Sequence, residues 1–99
     1  MRLKPGVKLV GLTPQMFLAA VVVERALFEF DLEAVITSGS EGRHIDTSLH
    51  YSGNALDFRT YKLTPGEAMS FANDVKDRLG RDFDVVLEKD HLHVEYDPK

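Results

Sequence analysis

The chain has 99 residues, 43% hydrophobic and 28% charged, with 12 Lys+Arg against 16 Asp+Glu for a net charge of -4. That balance describes one folded domain and excludes a disordered chain, and the acidic sum argues against a nucleic-acid binder, which needs a basic face to neutralise phosphates. Cysteine is absent, so disulfides, thiol nucleophiles and thiolate metal sites are excluded, and a transition metal would have to sit on His, Asp or Glu.

A secretory signal is not expected near the start. Lys4 and Lys8 are basic, but Gly11, Thr13 and Pro14 precede the apolar run, and no small-residue cleavage site closes it. The run itself, residues 16–23, ends at Glu24 and Arg25, far short of the roughly 20 residues of a membrane span. It belongs instead to a first helix. Thr13 is placed as N-cap and Pro14 at the first helical position. Met16, Ala20, Val23, Leu27 and Phe30 then recur at helical spacing. Phe17, Val21 and Val22 widen that face, so this helix is expected to be well buried, with Met16, Phe17 and Val21 to Val23 in the core.

Residues 34–37 form a short β-branched strand. A polar stretch follows over 38–48, with Gly39, Gly42 and Arg43. Residues 54–59 alternate, setting Ala55, Asp57 and Arg59 on one side and Leu56 and Phe58 on the other. Thr64-Pro65-Gly66-Glu67 reads as a capping box with Pro at N1. The helix it opens runs to Leu79 with Gly80 as its stop, and its apolar stripe is Ala68, Phe71, Ala72, Val75 and Leu79. Residues 83–88 and 91–96 form a hairpin around Lys89-Asp90. In its second strand Leu92, Val94 and Tyr96 face one way and His91, His93 and Glu95 the other. This order of elements implies an α+β domain over residues 1–99, with helices packed on one face of a small, mainly antiparallel sheet.

The four histidines fall in two clusters, His44 with His50 and His91 with His93. Two imidazoles on one strand face lie about 7 Å apart along the strand. A polar exposed strand explains them as well as a ligand pair does, until residues 48–57 are read. That stretch is S-x-H-x-x-G-x-A-x-D, carried by Ser48, His50, Gly53, Ala55 and Asp57. A His and an Asp seven residues apart can reach one metal if the chain curves between them. Gly53 permits the bend and Ala55 leaves room beside it. His50, Asp57 and His93 would then make three ligands with a fourth position open, as in a catalytic zinc site. Neutral imidazoles with one carboxylate suit Zn²⁺ better than Ca²⁺ or Mg²⁺.

The pattern resembles the zinc peptidases that include the D-alanyl-D-alanine carboxypeptidases and dipeptidases, the phage L-alanyl-D-glutamate endolysins and, more distantly, the hedgehog signalling domain. The S-x-H-x-x-G-x-A-x-D motif is followed by Asp90-His91-Leu92-His93, which matches the family's late H-x-H and D/E-x-x-H elements. Ser38-Gly39 with Arg43 is similar to a Ser-Gly-x-Arg element carrying two extra residues before the Arg. The resemblance covers about residues 37–96. It implies that His50, Asp57 and His93 hold zinc and that Asp90 is the general base for the water that zinc activates. His91 would stabilise the oxyanion or orient that water, and Arg43 would hold a substrate carboxylate or carbonyl. Ser48 would brace its loop. Glu88-x-x-His91 is a rival reading of the base motif. Asp90 with His93 is preferred, because in the family's H-x-H the second His is the ligand.

Asp57 also has a plainer reading, as a surface partner of Arg59 or Arg43. Glu95 could accept an imidazole N–H or stand as an exposed strand carboxylate, and Tyr51 is expected to pack on the sheet. The resemblance implies a zinc peptidase that cuts an amide in peptidoglycan stem peptides, either L-Ala–D-Glu or D-Ala–D-Ala. The alternative is an inactive zinc-binding module for peptidoglycan recognition or phage structure. A monomer without nucleic-acid partners is expected. It would be made in the bacterial cytoplasm without a signal peptide and act on the cell wall, possibly phage-encoded and released through a holin.

Overall fold

The computed structural model describes residues 1–41 and 52–99. The elements run β1 (Arg2–Leu3), α1 (Pro14–Phe28), β2 (Val35–Ser38), β3 (Ala55–Arg59), α2 (Pro65–Leu79), β4 (Phe83–Leu87) and β5 (His91–Tyr96).

Both helices begin where their caps dictate. The Met16 N–H donates to Thr13 Oγ1, with Pro14 in the first turn of α1. At α2 the box closes in both directions: the Glu67 N–H donates to Thr64 Oγ1, and the Thr64 N–H donates to Glu67 Oε1 at 2.9 Å. Gly80 ends α2 at φ 80, a conformation glycine adopts without steric cost. The first helix stops two residues before Phe30. The chain turns there through Asp31, at φ 56, and the Leu32 N–H returns to the Leu27 carbonyl.

The five strands form one sheet in the order β1-β2-β3-β5-β4. Three of its pairings are antiparallel, as expected, but β1 lies parallel to β2, so the sheet is mixed. A parallel pair needs a long crossover, and α1 supplies it. Alternation then divides the sheet. Ile36, Leu56, Phe58, Val85, Leu92 and Val94 are buried in one cluster with Met16, Val23, Leu27, Phe71 and Val75 of the helices. The other face carries Asp57, Arg59, His91, His93 and Glu95, all partly exposed.

One expectation about α1 is corrected. Met16 and Val23 are fully buried, but Phe17 and Val21 are 57% and 56% exposed, and Val22 is half-buried. The helix lies on a single sheet face and buries one stripe of a run that is apolar all round. Residues a quarter-turn away from that stripe have nothing above them.

Candidate functional site

The site is built by register. On β3 and β5 the pairs Ala55↔Glu95, Asp57↔His93 and Arg59↔His91 lie directly opposite one another. All six belong to the face away from the helices, so a two-residue period on each strand delivers a block of ionisable groups. Ala55 contributes no bulk, and the space over it is taken by Glu95, which reaches along its own strand to His93.

At the centre, His93 Nδ1 lies 2.8 Å from Asp57 Oδ1, and its Nε2 lies 2.7 Å from Glu95 Oε1. The ring is held at both nitrogens by carboxylates. The hydrogen bond from Asp57 raises the His93 pKa most strongly. Burial opposes the rise, Glu95 adds to it, and the result is about 9. Next along the face, His91 Nε2 stands 3.9 Å from Asp57 Oδ2, and His91 Nδ1 meets Asp90 Oδ1 at 2.8 Å. Its hydrogen bond with His91 holds the Asp90 carboxyl below the usual range. Carboxylates and imidazoles therefore alternate in the order Asp90, His91, Asp57, His93, Glu95.

Of the expected site residues, Asp57, His93, His91 and Asp90 are brought together. His50, Arg43, Ser48 and Tyr51 lie outside the described residues. Asp90 sits in the hairpin turn as expected, but its carboxylate engages His91, and His91 is the group that faces Asp57. The Asp90 side chain is 79% exposed. Glu88 is also in that turn, where its N–H donates to the His91 carbonyl.

The donor set fits a metal on chemical grounds. With Nε2–H donated to Glu95, a neutral His93 turns its Nδ1 lone pair on the Asp57 carboxylate. Two acceptors 2.8 Å apart require a cation between them, either a proton or a metal ion. A histidine ligand whose second nitrogen is tied to a carboxylate is the usual arrangement around zinc. A different, all-oxygen group lies beside it. Carboxylate oxygens of Asp84, Glu95 and Asp97 fall within 4.8 Å of one another and could hold a cation. This group is partly exposed, and Lys99 Nζ already lies 3.1 Å from Asp84 Oδ1.

Sequence reasoning passed over Glu41. Its Oε1 accepts the N–H groups of Gly39 at 2.8 Å and Lys8 at 3.1 Å, and Oε2 accepts the Ser38 hydroxyl. Burial raises the Glu41 pKa, but these donors outweigh it and leave the carboxyl below its ordinary value. In the Ser-Gly-x-Arg spacing this position would be the Arg, and here it is an acid turned onto backbone. Loop N–H groups carry no sequence signal, so the role was not legible. The plainer reading of Asp57 is not supported, since its carboxylate faces His93 and makes no ion pair with Arg59 among the described residues.

No protein-family model matches the chain, and no curated protein matches it. Among the described residues no helix is long and apolar enough to cross a membrane.

Proposed function

We propose that the protein is a zinc peptidase that hydrolyses an amide in peptidoglycan stem peptides, on a scaffold like that of hedgehog and the D-Ala-D-Ala peptidases. The observation that carries this reading is the facing of Asp57 Oδ1 and His93 Nδ1 at 2.8 Å, with the far nitrogen of the ring on Glu95. These two residues would hold zinc together with His50.

Zinc in such a site activates water and polarises a carbonyl. The chain's own residues do the rest. Glu95 fixes the His93 ring and keeps its Nε2 protonated, so Nδ1 is the ligand atom. Asp57 faces the metal with Oδ1 and His91 with Oδ2. His91, steadied at Nδ1 by Asp90, presents Nε2 to the same space, where it can hold or pass a proton near the substrate carbonyl. Asp90 thus assists through His91 or, by turning about its own side chain, directly as the base.

The exposure of Asp90 and its engagement with His91 also suit a second reading, a zinc-binding recognition module without turnover. Mass spectrometry of stem-peptide fragments incubated with zinc-loaded protein separates the two. New termini from wild type, lost in Asp90→Ala with zinc still bound, support the peptidase and identify the bond. One equivalent of zinc with no products from wild type would remove it in favour of the module.

A further inference from the structure

Arg59 follows Asp57 by two residues on β3, so it shares the open face and stands about 7 Å further along the strand. Its guanidinium carbon lies 5.2 Å from the centre of the Tyr61 ring. Stacking of this kind holds the guanidinium plane while leaving its edge N–H groups available. Among the described residues neither Arg59 nor Lys4 takes part in an ion pair. Both line a cleft of about 500 Å³ whose wall also includes Ser38, Asp57, Tyr61 and His91. The acid at the rim, Asp90, is bonded to His91. The cleft thus joins two unpaired cations and a serine hydroxyl to the carboxylate of the metal pair.

We infer that this cleft is a subsite for a peptide carboxylate, with Arg59 as the planar fork and Lys4 as the second charge. The identity of the neighbouring amide rests on the peptidase reading, whereas the anion site rests on the cleft alone. An extended peptide advances about 3.3–3.6 Å per residue. A carboxylate one residue from the amide therefore comes within reach of the Arg59 side chain while the amide lies at Asp57 and His93. Two stem-peptide groups share this chemistry: a C-terminal D-Ala carboxylate, and the free α-carboxylate of a γ-linked D-Glu.

The test measures equilibrium binding to zinc-loaded protein by calorimetry, with zinc content checked for every variant. The probes are an acetyl-Lys-D-Ala-D-Ala peptide and an L-Ala-γ-D-Glu peptide, each compared with its amidated form. Wild type is expected to prefer the free carboxylate of one pair by about tenfold or more, as a charge-assisted bidentate bond provides. The pair that shows the preference identifies the source. Arg59→Gln should erase it with zinc content unchanged, and Arg59→Lys should retain part. The subsite is overturned if wild type shows no preference, if Arg59→Gln keeps it, or if Arg43→Gln alone removes it. Preference without cleavage would leave the subsite standing and remove the peptidase. Cleavage without preference would do the reverse.

Discussion

His93 and Asp57 face each other across the β3–β5 ladder, with Nδ1 and Oδ1 2.8 Å apart. Whatever cation lies between them decides the charge of the whole face. In metal-free protein that cation is a proton on His93, whose pKa is raised from 6.5 to about 9.

The first prediction follows from the sign of that shift. A raised folded-state pKa contributes stability that is fully present below 6.5 and is lost as pH rises through about 9. Metal-free protein should therefore melt at progressively lower temperature across that window, by an amount on the order of 2 kcal/mol. The same scan of His93→Gln should be flatter. Zinc should reverse the trend, because the nitrogen must shed its proton to bind metal. A wild-type melting curve that is level from pH 6.5 to 9 without metal would refute the pairing.

Glu95 gives the second. Replacing it with Ala frees His93 Nε2 and lets the ring choose its tautomer and orientation. Zinc affinity should fall by about 10- to 100-fold, read by competition with a chelating dye, while the fold persists because Glu95 is outside the core. An unchanged affinity would mean that Glu95 does not orient the ligand.

Two glycines make a third, paired prediction. Gly53 and Gly80 have nearly the same backbone, at φ 77 and 80. A Cβ on Gly80 meets nothing within 4 Å, whereas one on Gly53 would land on the carbonyl oxygen of Gly11. Gly80→Ala should cost about 1 kcal/mol from conformation alone. Gly53→Ala should cost clearly more, about 2–4 kcal/mol, since backbone must move as well. Urea denaturation of the two variants side by side measures the difference, and equal costs would show that the contact yields without strain.

The corrected face of α1 supplies the fourth. Phe17→Ala should change stability by less than about 0.5 kcal/mol, because the ring is mostly in solvent. Leu27→Ala, at 2% exposure, should cost about 2–5 kcal/mol. Thermal melts suffice to rank them, and a large loss at Phe17 would place it in the core after all.

What was legible in the sequence was what is local. Thr64 with Glu67, and Gly80 after Leu79, announce the ends of α2 within a few residues of chain. The alternation of His91, His93 and Glu95 against Leu92 and Val94 assigns faces by parity alone. The exposure of Phe17 and Val21 was hidden because residues 16–23 are apolar on every side, so periodicity cannot say which stripe meets the sheet. β1 was missed because two residues, Arg2 and Leu3, carry no pattern, and their strand exists only through pairing with Val35 and Ile36. Within the site, parity brought Asp57, His91 and His93 to one face. That Glu95 bends back to His93, and that Asp90 grips His91, depends on side-chain reach, which spacing does not encode.

The Gly53–Gly11 packing has a further consequence, for the order in which the chain comes together. The Thr13 N–H donates to the Gly53 carbonyl, and the Thr13 hydroxyl donates to Asn54 at 3.0 Å across 41 positions of sequence. The start of β3 is thus fastened to the entrance of α1 before any partner for Asp57 exists, since His93 lies 36 residues further on. Closures of such length are slow steps in folding. During synthesis α2 and β4 must both emerge before the two groups can meet. Metal capture is therefore expected as a seal on an almost finished molecule, not as the nucleus around which it condenses.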